Sequence, residues 1–186
     1  MIMILGSRVL IIGNSGSGKT TLALELARRM GAPSTDLDRI HWQDAVGNKR
    51  EENLAADMVI EVAREARWVI EGVYGSLAAT ALPFASSLIW LDLPWSVCIE
   101  GLSRRGPWEA ATVGEHEAFL QWAEAYWQRQ NPSSFAGHLR LFEKFSGPKR
   151  RLVSRREIDA LLATGADASV SRLWRANVVS RFPVAR

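Results

Sequence analysis

A glycine-rich stretch of eight residues constrains this chain more than any other feature of its sequence. Residues 13–20 read Gly-Asn-Ser-Gly-Ser-Gly-Lys-Thr and match the pattern G-x-x-x-x-G-K-[ST] in full. An apolar run at residues 9–12 precedes the stretch, and Leu22, Leu24 and Leu26 follow it in a helical segment. A buried strand, a glycine-rich turn and a helix are the setting in which this pattern binds phosphate. We therefore expect a phosphate-binding loop between the first strand and the first helix.

Each residue type in this loop has its own role in holding a nucleoside triphosphate. Glycines allow the backbone to turn successive N–H groups towards phosphate oxygens, and the helix that follows adds its positive end. Lys19 places a compact positive charge on the β- and γ-phosphates, and the Thr20 hydroxyl is a ligand for Mg²⁺. We expect the chain to bind ATP with Mg²⁺ through these residues: Gly13, Asn14, Ser15, Gly16, Ser17, Gly18, Lys19, Thr20 and Thr21.

The rest of the chain alternates short apolar segments with helical patterns. Strands are expected at residues 8–12, 35–38, 68–72, 87–93 and 151–153. Helices are expected at residues 20–30, 53–66, 76–85, 95–105, 115–129, 135–145 and 154–162. Because the strands show no polar alternation, they fit a parallel sheet that helices cover on both faces. The pattern therefore predicts an α/β fold.

A magnesium site beside the phosphate loop needs a carboxylate from the end of a neighbouring strand. Glu71 and Asp92 both lie near the ends of predicted strands. We favour Glu71, because Gly72 follows it and would let the chain pass close to the phosphates. The alternative for either carboxylate is that it caps nearby backbone.

Several stretches of the sequence are similar to the small P-loop kinases of the adenylate kinase and shikimate kinase type. The resemblance is strongest to adenylate kinase-like proteins described as DNA topology modulation proteins. The matching stretches are residues 12–20, 37–42 (Leu-Asp-Arg-Ile-His-Trp), 68–74, 88–95 and 119–129. Order and spacing agree from about residue 8 to residue 163.

This resemblance implies a three-layer α/β/α fold with a five-stranded parallel sheet, like that of nucleoside-monophosphate kinases. It implies a single domain over residues 1–186, with a lid at about residues 104–130 after the fourth strand. The tail at residues 164–186 is not covered by the resemblance and has no clear period. The chain departs from the relatives at Glu71, where they mostly carry aspartate, and in residues 106–115, which are poor in arginine.

In such relatives, arginines of the lid neutralise the phosphoryl group during transfer. The candidates here are Arg104 and Arg105, with Arg129 from the following helix. Guanidinium suits the role because it is always charged and grips phosphate with two hydrogen bonds. A solvated helix end is the alternative interpretation.

A basic cluster flanks the fifth predicted strand, where the relatives place adenine. It consists of Lys149, Arg150, Arg151, Arg155 and Arg156. The resemblance implies a contact with adenine or phosphate, which we assign to Arg155. A solvated basic edge is the alternative.

The resemblance places the acceptor after the second strand, and we expect it to contact the following residues: Asp36, Asp38, Arg39, Trp42, Gly72 and Tyr74. A hydroxyl acceptor gains from a carboxylate that orients it or takes its proton, which would make Asp38 catalytic. A phosphate acceptor needs arginines, and Arg39 and Arg50 lie in the same region. The residues leave both open, as well as a capping role for Asp38. The adenylate kinase resemblance favours a nucleotide or nucleoside.

The function expected from these patterns is transfer of the ATP γ-phosphoryl group to a small acceptor. The alternative is a P-loop ATPase or nucleotide-binding regulator that acts on DNA. The net charge of +3 and the lack of a DNA-reading motif give that alternative little support. One cysteine, Cys98, excludes an intrachain disulfide, and no stretch approaches the roughly 18 apolar residues of a membrane span. We expect a cytoplasmic protein and place Trp42 and Trp108 at the cleft or lid.

Overall fold

The computed structural model describes residues 6–43, 48–107 and 111–164. The strands are β1 (Arg8–Gly13), β2 (Ser34–Asp36), β3 (Trp68–Gly72), β4 (Ser87–Leu91) and β5 (Lys149–Leu152). The α-helices are α1 (Lys19–Met30), α2 (Leu37–His41), α3 (Glu52–Ala63), α4 (Gly75–Ala81), α5 (Trp95–Arg105), α6 (Val113–Glu124), α7 (Phe135–Lys144) and α8 (Arg155–Thr164). Short 3₁₀ turns cover Leu82–Phe84 and Ala125–Trp127.

The five strands form one parallel sheet in the order β2-β3-β1-β4-β5. The strand that feeds the phosphate loop, β1, is central, with β3 on one side and β4 on the other. Its register places Ile11 beside Glu71 and Gly13 beside Leu91. The expected α/β/α fold with a five-stranded parallel sheet is thereby confirmed.

Alternate residues of β1 point into two apolar cores, one on each face of the sheet. Leu10 and Ile12 pack with α2, α3, α4 and α7, and Val9 and Ile11 pack with α1, α5 and α8. All four side chains are fully buried. This explains why the strand sequence has no polar alternation, since neither face of a central parallel strand meets water.

Several predicted boundaries were wrong, and two of them lie next to the site. The second strand ends at Asp36, not at residue 38, because the Asp36 carboxylate accepts a hydrogen bond of 2.8 Å from the Asp38 N–H and starts α2. The helix predicted for residues 115–129 ends at Glu124 and continues as a 3₁₀ turn. Trp108 and the tail beyond Thr164 lie outside the described residues. Within the described ranges, no helix is long and apolar enough to cross a membrane.

Candidate active site

The phosphate loop takes its shape from three glycines with positive φ. Gly13 has φ 152°, Gly16 has φ 76° and Gly18 has φ 92°, values that side chains other than glycine rarely allow. Gly16 also packs against α5, where an added Cβ would lie 2.2 Å from the Cys98 carbonyl oxygen. The loop is therefore fixed by backbone conformation and by its fit onto α5.

Lys19 bonds within the loop, and Asn14 connects the loop to α6. Lys19 is largely buried, and its Nζ donates to the Asn14 carbonyl oxygen at 3.0 Å. The Asn14 side chain accepts from the Ser15 N–H at 2.8 Å and donates to the Ala123 carbonyl at 2.9 Å. Asn14 thus ties the loop to the end of α6, a contact that the loop motif alone does not predict.

A hydroxyl and a carboxylate lie side by side at the edge of the loop. Thr20 Oγ1 donates to Glu71 Oε1 at 2.6 Å, and burial raises the pKa of Glu71 above its ordinary value. Oxygen donors of these two kinds are the ones that Mg²⁺ prefers, so the pair fits the ion. The other candidate, Asp92, instead accepts hydrogen bonds of 2.6 and 2.9 Å from Arg151. The geometry favours Glu71 as the partner of Thr20.

Asp38 lies in the first turn of α2, directly after β2. Its Oδ1 is buried and has no hydrogen-bond partner among the residues that the structure describes. Burial, followed by the nearby Asp36, raises its pKa to about 7, while the charges of Lys19 and Arg105 oppose that rise. Because Asp36 caps α2, the capping role considered for Asp38 belongs to its neighbour.

Aromatic rings border the region around Asp38. Tyr74 stacks on His41 with ring centroids 3.7 Å apart, and Trp42 meets both rings edge-on. Trp42 is 37% exposed, so one of its surfaces is open to a ligand. Burial raises the pKa of Tyr74, and the Asp38 charge adds to this effect. The structure thus brings Asp38, Trp42 and Tyr74 together.

The remaining acceptor candidates have other surroundings. The side chain of Arg39 is exposed. Arg50 donates to the carbonyl oxygens of Ile40 at 2.8 Å and Trp42 at 3.3 Å, which fixes the turn after α2. Gly72 is buried, and an added Cβ would lie 2.5 Å from Leu37 Cβ. Glycine is therefore required here because Leu37 of α2 packs directly against the backbone of Gly72.

The two arginine candidates of α5, Arg104 and Arg105, have different surroundings in the structure. Arg105 lies near enough to Asp38 and Glu71 that its charge opposes the rise in the pKa of both carboxyl groups. Its guanidinium lies 5.7 Å from the Phe119 ring. Arg104 points elsewhere and pairs with Glu100 at 3.4 Å on the exposed side of α5. The expectation that both would face the site is not supported by this arrangement.

Arg129 has a structural position. Its guanidinium stacks 4.1 Å from the Trp122 ring and donates to the carbonyl oxygens of Trp122 and Ser133. These contacts hold the end of α6 against the loop that leads to α7. The side chain is therefore engaged by protein groups on two sides.

Within the basic cluster, Arg155 is the member that reaches the phosphate loop. Its Nη1 donates to the Ser17 carbonyl at 3.1 Å, and Gly18 leaves room for it, since an added Cβ would lie 2.5 Å from that nitrogen. Lys149 instead donates to the carbonyl oxygens of Phe142 and Phe145 and closes the end of α7. Lys149 and Arg151 are thus held by protein groups, and Arg155 contacts the loop.

Sequence reasoning missed a buried chain of polar groups behind the site. Trp90 Nε1 donates to Tyr126 Oη at 3.3 Å, Tyr126 Oη lies 2.6 Å from His138 Nδ1, and His138 Nε2 lies 3.1 Å from the Val73 carbonyl oxygen. A signal existed, because polar aromatic residues at buried helical positions usually need a hydrogen-bond partner. The sequence did not indicate which partners would meet.

Comparisons with known proteins agree with this architecture. No protein-family model matches the chain. The Uncharacterized protein YqaC of Bacillus subtilis (strain 168) is 26% identical over 129 residues, with 62% of this chain and 70% of that protein covered. The name of this relative gives no activity, so the resemblance to DNA topology modulation proteins stays a prediction.

Solved structures of kinases share the fold at low sequence identity. A gluconokinase from Sinorhizobium meliloti 1021 aligns with a TM-score of 0.51 at 16% identity, covering 87% of this chain and 94% of that one. A sugar kinase from Janibacter sp. HTCC2649 gives 0.50 at 17% identity, covering 85% and 91%. A shikimate kinase from Bacteroides thetaiotaomicron gives 0.50 at 18% identity, covering 84% and 94%. The chain has the fold of the small P-loop kinases.

Proposed function

We propose that the protein is a phosphotransferase that moves the γ-phosphoryl group of ATP to a hydroxyl group of a small acceptor. The observation that carries the proposal is the Asp38 carboxylate. It has a buried Oδ1 without a partner in the described part of the chain, and it lies within the electrostatic reach of Lys19 and Arg105. A carboxylate held this way beside a phosphate loop suits the removal of a proton from an acceptor.

The donor half of the proposed site is the phosphate loop. Its backbone N–H groups and Lys19 would bind the β- and γ-phosphates of ATP, and Thr20 and Glu71 would hold Mg²⁺. The ion would supply positive charge that offsets the charge of the phosphates. Arg155, which contacts the Ser17 carbonyl, stands at the side of the loop where we place the nucleoside portion of ATP.

The acceptor half favours a hydroxyl over a phosphate. Of the two arginines considered for an anionic acceptor, Arg39 is exposed, and Arg50 donates to backbone carbonyls. With a pKa of about 7, Asp38 is able to accept a proton near neutral pH. The Asp38 charge would also repel an acceptor that arrives with negative charge.

The proposed reaction forms one bond and breaks one. The acceptor oxygen bonds to the γ-phosphorus, the bond from that phosphorus to the β–γ bridging oxygen breaks, and the hydroxyl proton moves to Asp38. ADP and the phosphorylated acceptor leave. Lys19 and Arg105 balance the charge that develops on the transferred group, which is the main catalytic contribution expected of protein groups in phosphoryl transfer.

The aromatic residues support a nucleoside as the acceptor. Trp42 is exposed beside the stacked rings of His41 and Tyr74, and an exposed indole ring is able to stack on a planar base. A nucleoside offers both a base for these rings and sugar hydroxyls for Asp38.

A screen of ATP consumption and product formation tests the proposal. It uses nucleosides, nucleoside monophosphates and hydroxylated metabolites, each with and without DNA. We expect phosphorylation of a hydroxyl acceptor, a fall of roughly a hundredfold or more in kcat for Asp38→Asn, and little change for the exposed control Asp57→Asn. ATP hydrolysis that requires DNA, without any phosphorylated small product, would overturn the proposal.

A further inference from the structure

The segment between Glu71 and Tyr74 is held in place from behind by α7. This segment joins the proposed magnesium carboxylate to the aromatic surface beside Asp38. At its middle, the Val73 carbonyl oxygen lies 3.1 Å from His138 Nε2. A second bond of 3.3 Å runs from the Gly75 N–H to Ser133 Oγ. Two side chains from the same region of the chain thus fix the backbone of this segment.

The hydrogen-bonding chain behind Val73 determines the state of His138. Tyr126 Oη accepts a hydrogen bond from Trp90 Nε1, so its own hydroxyl proton is free to point at His138 Nδ1, 2.6 Å away. His138 Nδ1 is then an acceptor, and its Nε2 carries the proton that is donated to Val73. Each polar group of the chain has a partner in this arrangement, and the three aromatic side chains are fully buried.

Burial also keeps His138 uncharged. It lowers the pKa of His138 to about 3, so the imidazole is neutral at every pH at which the protein would be assayed. A neutral histidine with a fixed tautomer makes a directional donor whose contact with Val73 does not change with pH.

The same region is attached to other parts of the site. Arg129 connects Trp122 to Ser133, and the neighbouring Ala123 carbonyl accepts from the Asn14 side chain of the phosphate loop. The segment after α6 that carries His138 is therefore linked to the donor half as well. The backbone that His138 holds continues to Tyr74, which belongs to the acceptor half.

We infer that His138 is a positioning residue for the acceptor, and that it acts by holding the Val73 carbonyl so that Tyr74 stays beside Asp38. The inference rests on the proposed function, since it assigns the acceptor to this surface. His138 does not touch either substrate. Loss of its Nε2 donor leaves a buried carbonyl without a partner and releases the segment on which Tyr74 is carried.

Two substitutions of His138 distinguish the effect of its Nε2 hydrogen-bond donor from the effect of its size. His138→Phe keeps an aromatic ring but removes the hydrogen bond, and His138→Gln supplies an amide N–H at a similar reach. Leu141→Ala is the matched control, because it damages the same helix and the same core and leaves the hydrogen bond from His138 to Val73 in place. Kinetics with the identified acceptor and hydrogen exchange of the amides of residues 72–77 are measured for all three.

We expect His138→Phe to raise the acceptor KM by about tenfold, with an ATP dissociation constant within about twofold of wild type. Exchange in residues 72–77 becomes faster in the nucleotide-free protein, and His138→Gln restores both properties towards wild type. Leu141→Ala lowers the Tm and leaves the acceptor KM unchanged. If His138→Phe is not folded, Tyr126→Phe takes its place, since it removes the hydroxyl that orients His138 and shifts both readouts in the same direction.

The inference is overturned if His138→Phe lowers only the Tm, or if Leu141→Ala reproduces its effects on KM and exchange. If the wild-type protein phosphorylates no acceptor, the proposed function fails. The exchange measurement then still decides whether His138 holds the segment.

Discussion

The donor half and the acceptor half of the site are built in different ways. Most of the donor half is one contiguous loop, residues 13–20, whose shape comes from glycine backbone conformations and which contains Lys19, while Glu71 and Arg155 join it from β3 and α8. The acceptor half collects Asp38 from α2, Tyr74 from the segment after β3 and Arg105 from the end of α5. A local motif encodes the first, whereas only tertiary packing assembles the second.

The two halves also differ in how their charged groups are satisfied. In the donor half, Lys19 donates to the Asn14 carbonyl and Thr20 donates to Glu71, and the buried group without a partner in the described residues is the neutral Ser17 hydroxyl. In the acceptor half, Asp38 Oδ1 is buried and lacks a partner in residues 6–43, 48–107 and 111–164. Such a group opposes folding, and proteins keep groups of this kind where a ligand uses them. Substitutions in the donor half should therefore remove function, whereas some in the acceptor half should remove function and add stability.

The largest effect is expected at Lys19. Lys19→Ala removes the charge that we propose to contact the β- and γ-phosphates, and we expect turnover to fall by roughly a thousandfold or more. Calorimetric titration with ATP and a turnover assay measure the loss, and thermal unfolding verifies the fold. Lys144→Ala, an exposed lysine on α7, is the control for a lost positive charge. Wild-type ATP affinity and turnover in Lys19→Ala would contradict the donor assignment.

The contrast between the halves explains what the sequence was able to predict. The loop, the parallel sheet and the pairing of Thr20 with Glu71 follow from a motif and from the strand pattern, because these depend on residues close in sequence or at strand ends. The capping role of Asp36 was not predicted, because two neighbouring aspartates have equal propensity to start a helix. The chain from Trp90 to Val73 was not predicted either, since it joins four elements that only the folded chain brings together.

The second prediction compares two adjacent arginines. Arg105 lies near the carboxylates of both halves, whereas Arg104 pairs with Glu100 on the exposed side of α5. We expect Arg105→Ala to lower kcat by between about tenfold and a hundredfold and Arg104→Ala to change it by less than about twofold. Steady-state kinetics at saturating ATP measure both. Equal losses in the two variants would show that α5 does not orient these side chains as described.

The third prediction tests whether packing positions the acceptor half. An added Cβ on Gly72 would lie 2.5 Å from Leu37 Cβ, so Gly72→Ala pushes α2, and Asp38 with it, away from β3. We expect a loss of stability of about 1–3 kcal/mol and a rise of several-fold in the acceptor KM, with little change in ATP affinity. Gly114→Ala is the matched control, because an added Cβ there meets no atom within 4 Å in the described part of the chain. If Gly72→Ala lowered the affinity for ATP as much as the affinity for the acceptor, the two halves would not be positioned separately.

The smallest effect is expected in the stability of Asp38→Asn without ligands. The folded-state pKa of about 7 lies above the ordinary value of 3.8, mainly through burial and then through Asp36, with a smaller contribution from Glu71 and opposing ones from Lys19 and Arg105. The folded protein therefore binds this proton more tightly than the unfolded chain, and wild-type stability falls as the pH rises from about 4 to 7. Asparagine carries no such charge, so we expect the stability of the variant relative to wild type to rise between pH 4 and pH 8. Denaturant unfolding at both pH values measures this difference, with Asp57→Asn as the control. A gain in stability that is the same at both pH values would mean that the pKa of Asp38 is not raised. The acceptor half would then lack the destabilising buried carboxylate that distinguishes it from the loop.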